Sequence, residues 1–291
     1  IGPPGTGKTT FLKDKVDKLI NDGHCKPDEI GYFSFTVKAA EEIRDRVTNE
    51  EWSEAELKKL FPYFCTLHSL AYKRLQLQQS QIMDQSDYDD LSRTTGRFFV
   101  NKMKKGNGMD ISMPTAKSEY QDLINLAYAK FPDDDDRLNQ IFRTVKLNDY
   151  GARNTIEQMD IDLKNFKRDR DKLEYVDYFN HFLQRKNPPP LKYLFVDEAQ
   201  DLSAHQWQVI DMIQEVAKPI ETYVAGDDDQ AIFRWAGADI EHFIAMAKDD
   251  DNTIIPLTQS YRIPKSVHTI ATKLAQSISR RIDKSYKPRD E

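Results

Sequence analysis

Gly2-Pro3-Pro4-Gly5-Thr6-Gly7-Lys8-Thr9 fits the pattern G-x-x-x-x-G-K-[ST] in full. Its glycines let a backbone wrap closely around a phosphate with the N–H groups turned inward. The helix that follows offers the positive end of its dipole to the same anion. In such a loop Lys8 reaches the β- and γ-phosphates and the Thr9 hydroxyl holds Mg²⁺. The candidate nucleotide contacts are therefore Gly2, Pro3, Pro4, Gly5, Thr6, Gly7, Lys8, Thr9 and Thr10. The competing reading is a plain Gly/Pro turn before a helix. Against it, the helical face Phe11, Leu12, Val16, Leu19 and Ile20 begins where the motif requires one. The chain starts at Ile1, so the strand expected before the loop lies mostly outside it, and the chain reads as a piece of something longer.

Outward from the loop, Ile30 to Phe35 reads as a buried strand and Ala39, Ala40 and Ile43 as a helix. Tyr63 to Thr66 is a short strand, and His68 opens another helix. Strand–helix alternation of this kind predicts a parallel sheet with both faces covered. From about Lys73 to Lys172 strand-like runs become rare. Helical faces such as Ile124/Ala127/Tyr128 and Ile141/Phe142/Val145 sit between polar connectors, including Lys104 to Gly108 and Asp133 to Asp136. The basic run Lys164, Lys167, Arg168, Arg170 and Lys172 is diluted by Asp169 and Asp171 and reads as a solvated helix face rather than a phosphate track. Alternation resumes after the rigid spacer Pro188-Pro189-Pro190. Expected there are a strand Tyr193 to Val196, a helix around Trp207, Ile210, Ile213 and Val216, and strands Thr222 to Ala225 and Ile254 to Thr258. A long closing helix is expected through Val267, Ile270, Ala271, Leu274 and Ile278. The class is α/β: a phosphate-loop parallel sheet in two segments, 1–72 and 175–291, with a mostly helical subdomain inserted over 73–174.

The 291 residues are about two domains' worth. With 39% apolar and 31% charged residues the composition is globular. A net charge of −6 excludes a protein that coats nucleic acid by bulk electrostatics, so any such binding must come from a local groove. No apolar run approaches the roughly 18 residues of a membrane span. Cys25 and Cys65 form neither a disulfide framework nor a zinc site, which suits a reducing, cytoplasmic compartment.

Leu194-Phe195-Val196-Asp197-Glu198 is an apolar strand that ends in two carboxylates. Ligands of parallel sheets sit beyond the carboxyl ends of the strands. Asp197 is placed there to hold Mg²⁺ and Glu198 to deprotonate an attacking water. Taken alone, the pair could equally cap the next helix.

At this point the residues resemble a family. Asp197-Glu198-Ala199-Gln200-Asp201 is similar to the second motif of superfamily 1 helicases of the UvrD/Rep type. Phe35-Thr36-Val37-Lys38-Ala39-Ala40, Thr66-Leu67-His68-Ser69, Ala225-Gly226-Asp227-Asp228-Asp229-Gln230 running on to Trp235, and Leu257-Thr258-Gln259-Ser260-Tyr261-Arg262 resemble further motifs of that family, in the family's order. Val37 and Ser260 stand where Asn is usual, and Ala236 where many relatives carry Arg. The resemblance implies a RecA-like P-loop NTPase fold and an ATP-dependent DNA helicase or translocase, moving 3′ to 5′, in DNA repair or replication. It implies catalytic roles for Lys8, Glu198, Gln230 and Arg262, with Gln230 and Arg262 at the γ-phosphate and Tyr261 on adenine. It implies Mg²⁺ on Thr9 and Asp197. Phe35, Lys38, Thr66, His68 and Trp235 would face single-stranded DNA or a single/double-strand junction. A second RecA-like domain would begin near the last residue and complete the ATP cleft, and no membrane is involved. The alternatives are a nucleotide-dependent single-strand-binding module without unwinding, or a P-loop NTPase with another cargo. Trp235 and Phe35, read singly, would also fit a core, and His68 a local helix-start histidine.

Overall fold

Ile30 and Tyr32 of one short apolar run, and Tyr193 and Phe195 of another, turn to one face. Phe33, Leu194 and Val196 turn to the other, as a two-residue period demands. Runs apolar on both faces suit a parallel sheet buried between helices. The strands are β1 (Ile30–Phe33), β2 (Phe64–Cys65), β3 (Tyr193–Val196) and β4 (Glu221–Val224), all parallel, in the order β2-β1-β3-β4. Tyr32 lies opposite Phe64 and Phe195, and Phe33 opposite Cys65 and Val196. The structure is a computed structural model that describes residues 1–47, 53–101 and 118–290. The connector Lys104 to Gly108 lies outside them.

On the Tyr32 face lie α1 (Lys8–Asn21), α2 (Val37–Val47) and α3 (Glu54–Leu60), bringing Leu12, Val16, Ile43 and Leu60 to the sheet. The opposite layer opens with α4 (Leu67–Leu75). It is interrupted by α5 (Gln85–Thr95), α6 (Glu119–Lys130), α7 (Arg137–Thr144) and α8 (Tyr150–Arg170). It is completed by α9 (Tyr175–Arg185), α10 (Ala204–Ala217) and α11 (Ile240–Met246). Leu67, Leu70, Phe179, Phe182, Trp207, Ile210, Ile213 and Phe243 form its core. The four interrupting helices pack on one another around Leu91, Ile124, Ile141, Phe142, Ile156 and Met159, a separate cluster. The chain passes from one cluster to the other where Met83 N–H donates to Leu173 O (3.0 Å) and Leu173 N–H to Gln81 O (2.7 Å). α4 runs unbroken past residue 73, and Leu75 and Leu77 still pack on the second core.

Several expectations change. β1 stops at Phe33, leaving Ser34 and Phe35 beyond the strand. α3 is additional, and Ser53 caps it through Glu56 N–H. Val216 is exposed at the solvent side of α10. Ile254 to Thr258 joins no sheet: Ile1 lies alongside it, through Leu257 N–H to Ile1 O (2.9 Å) and the Ile1 amine to Ile255 O (2.9 Å), and Lys287 meets its end, donating its N–H to Thr258 O (2.8 Å). A strand needs a ladder of partners, and these single residues do not make one. The closing helix is α12 (Lys265–Ala275), shorter than expected and without a buried residue; Val267, Ile270 and Leu274 face outward. The basic run is not simply solvated. Lys164 pairs with Asp160, Arg168 with Asp169 and Arg170 with Asp90. Lys167 (with Glu174 and Asp177) and Lys172 (with Asp87) are largely withdrawn from water.

Candidate functional site

The loop after Ile1 is built on backbone that few residues adopt. Gly5 has φ +71° and Gly7 φ +84°, the left-handed region open to glycine without penalty. A Cβ on Gly5 would meet Arg262 Cβ at 2.5 Å, and one on Gly2 would meet Lys8 Cγ at 2.4 Å. The Thr6 hydroxyl donates to Pro3 O (2.7 Å) and Lys8 Nζ to Gly2 O (3.0 Å), closing the loop on itself. α1 then starts at Lys8 with Gly7 as its N-cap, with no side-chain cap and no acidic residue in its first turn. Its N–H groups therefore meet no carboxylate of their own, as an anion site requires. Segment 259–262 holds this cradle from outside. Fully buried Ser260 donates to Pro4 O (2.8 Å), and Tyr261 N–H donates to Gly5 O (2.9 Å). Tyr261 and Arg262 project into solvent beside it.

The carboxyl end of β3 delivers Asp197, 2% exposed, to the same place. Its Oδ2 accepts from Thr9 Oγ1 (3.0 Å) and from the Tyr32 hydroxyl (2.9 Å). Its Oδ1 accepts from Glu198 N–H (2.9 Å). Burial, then the charge of Glu198, push the Asp197 carboxyl above the usual carboxylate range. Burial, then Asp197, hold the Tyr32 hydroxyl far above its ordinary value, so it remains a donor. Glu198 takes left-handed backbone, φ 52°, a conformation a non-glycine residue adopts at a cost of about 1–3 kcal/mol. Gln200, buried, donates through Nε2 to Glu198 Oε2 (2.9 Å) and accepts Asp227 N–H at Oε1 (3.0 Å). Asp227 Oδ2 in turn accepts from Gln230 Nε2 (2.5 Å). Glu198 and Gln230 are thus tied together through Gln200 and Asp227. Next to them burial and Glu198 raise the Asp201 carboxyl to about 7.

The tail closes over this loop. Lys284 pairs with Asp227 (2.9 Å), Asp228 and Asp229 (3.1 Å), and Arg281 grips Asp229 with two bonds (2.9 and 2.7 Å). Burial works against the charge on Lys284, and the aspartates more than offset it, so its ammonium is held above the usual lysine range.

A hydroxyl and a carboxylate are hard oxygen donors, and Mg²⁺ is bound by few protein oxygens together with substrate phosphates. Thr9 and Asp197, 3.0 Å apart beside a glycine cradle, fit that requirement. Among the described residues no group of three or more His, Cys, Asp or Glu is arranged to hold a metal by itself.

The other sequence candidates divide. Phe35 stacks on Phe233 (ring centroids 5.4 Å), and Trp235 follows at 6.4 Å. Trp235 is 39% exposed, which removes the core reading; among the described residues the core tryptophan is Trp207, at 1%. Lys38 is exposed at the start of α2. Thr66 is buried and caps α4, accepting Ser69 N–H (3.2 Å). The His68 ring lies against Tyr175 (3.5 Å) and Phe179 (3.9 Å); burial, then His205, hold it neutral, well below its ordinary value. Thr66 and His68 thus make contacts within the α4–α9 layer, while Phe35, Phe233 and Trp235 make a row. Sequence reasoning missed Tyr32, Gln200, Phe233, Arg281 and Lys284. Tyr32 carried a physical signal, since a hydroxyl inside an apolar strand must find a partner, and Gln200 and Phe233 lie within the quoted motifs; Arg281 and Lys284 carried none.

The family model for the UvrD/REP helicase N-terminal domain matches residues 1–251. The chain is 26% identical to the ATP-dependent DNA helicase PcrA of Staphylococcus aureus (strain Mu50), over 95% of this chain and 37% of that protein. The similarity to PcrA of Staphylococcus epidermidis (strain ATCC 35984) has the same identity and the same two shares. The chain thus spans 37% of the length of these curated relatives.

Proposed function

We propose, from the premise that the chain belongs to the UvrD/REP helicase N-terminal domain family, that it binds Mg·ATP at the glycine loop and single-stranded DNA along its aromatic row, as part of a longer ATP-driven DNA helicase. The observation that carries the reading is Thr9 Oγ1 at 3.0 Å from Asp197 Oδ2, residues 188 positions apart in sequence. Lys8 neutralises the β- and γ-phosphates from the loop, and Arg262 and Gln230 approach the γ-phosphate from the other motifs. Thr9 and Asp197 would hold Mg²⁺, which when bound supplies charge neutralisation at the phosphate oxygens. Glu198 takes a proton from the attacking water while that oxygen bonds to phosphorus and the bond to the β-phosphate breaks. Gln200 holds Glu198 against the loop that carries Gln230, which supports a link between hydrolysis and the DNA-facing residues that follow, Phe233 and Trp235. The division into 1–72, 73–174 and 175–291 belongs to the same reading. So do 3′ to 5′ movement, a single/double-strand junction as substrate and a cytoplasmic setting. Among the described residues no helix is long and apolar enough to cross a membrane.

The outward apolar side of α12 and the 76% exposure of Tyr261 support a second RecA-like domain as the other wall of the ATP cleft. The chain alone is then expected to bind nucleotide weakly and turn it over near background, since an arginine finger from the other wall is worth about 10³–10⁵ in rate. The test is a titration of the chain with a fluorescent ATP analogue, wild type beside Lys8→Ala, with steady-state ATPase measured with and without single-stranded DNA. Equal binding by the two proteins would sink the site. Robust DNA-stimulated turnover by the chain alone would sink the two-wall reading.

A further inference from the structure

Tyr32 sits in the middle of β1 at 0% exposure, its ring between those of Phe64 (5.4 Å) and Phe195 (6.1 Å). A hydroxyl in such a layer is unfavourable unless it is hydrogen-bonded. The register explains its partner. Tyr32 lies opposite Phe195, and Asp197, two residues further along at the end of β3, emerges on the same face. Two residues of strand advance about 6.6 Å, a distance a tyrosine side chain can span when it leans toward the carboxyl end of the sheet. The hydroxyl therefore meets Asp197 Oδ2 at 2.9 Å, the same oxygen that Thr9 approaches at 3.0 Å, while Glu198 N–H occupies Oδ1 at 2.9 Å.

We propose that Tyr32 is a positioning residue for the metal site: its O–H fixes the Asp197 carboxylate from inside the core, so that the carboxylate faces Thr9 in one orientation. The inference rests on the Mg·ATP reading of Thr9 and Asp197. Without the O–H, Thr9 at Oδ2 and Glu198 N–H at Oδ1 would be left to orient the carboxylate, with no donor from inside the core to hold Oδ2 when Thr9 turns to a metal. Hydrogen-bond partners of metal-binding groups typically alter metal affinity by about 10- to 100-fold when removed.

Tyr32→Phe keeps the ring and its stacking and removes one oxygen. The assay is the affinity of the 291-residue chain for mant-ADP over a series of Mg²⁺ concentrations, with a thermal melt of each protein. Expected is a Mg²⁺ requirement raised about 10-fold or more, mant-ADP binding in EDTA unchanged, and recovery with 3-fluorotyrosine at position 32, which retains the O–H. A Tyr32→Phe curve that overlays the wild type overturns the proposal. Asp197→Asn separates this from the site itself: if that variant also leaves the Mg²⁺ dependence unchanged, the Mg·ATP reading has failed, whereas a shift in Asp197→Asn alone removes only Tyr32. Should the phenylalanine variant melt below the assay temperature, the ¹⁹F resonance of 3-fluorotyrosine at 32 decides. It is expected to move when Mg²⁺ joins the ADP complex, and a resonance that stays in place overturns the assignment.

Discussion

Trp235→Ala separates binding from folding because of where the ring lies. Its residue is 39% exposed in a short turn, 6.4 Å from Phe233. Truncating a buried tryptophan costs about 3–5 kcal/mol. With well over a third of this one in water, the stability loss is expected at about 1–2 kcal/mol. At roughly 2–4 °C per kcal/mol for a chain of this size, the melt falls by only a few degrees. A lost stacking platform removes about 1–3 kcal/mol of single-strand binding, or about 5- to 150-fold, for every base sequence alike. The ring carries no charge, so the slope of log affinity against log salt stays the same, whereas loss of a phosphate contact would reduce it. Fluorescence anisotropy with labelled oligothymidine and a mixed-sequence oligonucleotide, at several salt concentrations and well below the melting temperature, reads all three quantities. The reasoning is refuted by a melt that drops by more than about 10 °C with the affinity of the folded protein unchanged, or by weakening confined to one sequence.

Glu198→Gln in the full helicase is expected to retain Mg·ATP and lose about 10²–10⁴ in turnover, since the amide keeps the shape and not the base; normal single-turnover hydrolysis would show another residue takes the proton. Lys284→Met strands Asp227 and Asp228, whose side chains are 0% and 1% exposed, so a loss of about 3–5 kcal/mol is expected in urea unfolding. Adding Asp227→Asn should return part of it, and an unchanged midpoint in the single variant would mean the ion cluster does not hold the tail. Asp201, raised to about 7 by burial and then by Glu198, makes the folded state the better proton binder. Its contribution is favourable at low pH and is lost as pH rises from about 3.9 through 7. Asp201→Asn lacks that loss, so unfolding free energies of the two proteins should diverge in favour of the variant between pH 4 and 8; a constant difference would place Asp201 among ordinary carboxylates.

The glycine loop was legible because its requirements are local. Positive φ at Gly5 and Gly7, an uncapped helix start at Lys8 and a hydroxyl at Thr9 all lie within a few bonds of one another. The strands Tyr193–Val196 and Ile30–Phe33 were legible for the same reason, as runs of apolar residues that a buried parallel sheet accepts on both faces. Asp197-Glu198 could be found as a strand end, and the motif order supplied the family. Composition, with its net charge of −6, argued against binding by bulk electrostatics.

What side chains do after long-range contact could not be read that way. Ile254 to Thr258 has the pattern of a strand, but a ladder depends on a neighbouring strand, and the segment meets isolated residues, Ile1 and Lys287, instead. Trp207 and Trp235 are the same residue type, yet helix packing buries one and a turn exposes the other. His68 loses its faces to Tyr175 and Phe179, residues more than a hundred positions away that only the inserted helices bring back to α4. The Tyr32 hydroxyl reaches Asp197 because β1 and β3 pair in one register and not its neighbour; a one-residue slip would turn it to the other face. Lys284 neutralises Asp227 only because the tail returns across the loop, a path no local propensity encodes. Sequence alone determined the backbone constraints and the chemical inventory of the site. Tertiary structure decided which charges and rings meet, because burial and pairing are properties of residues distant in the chain and adjacent in space.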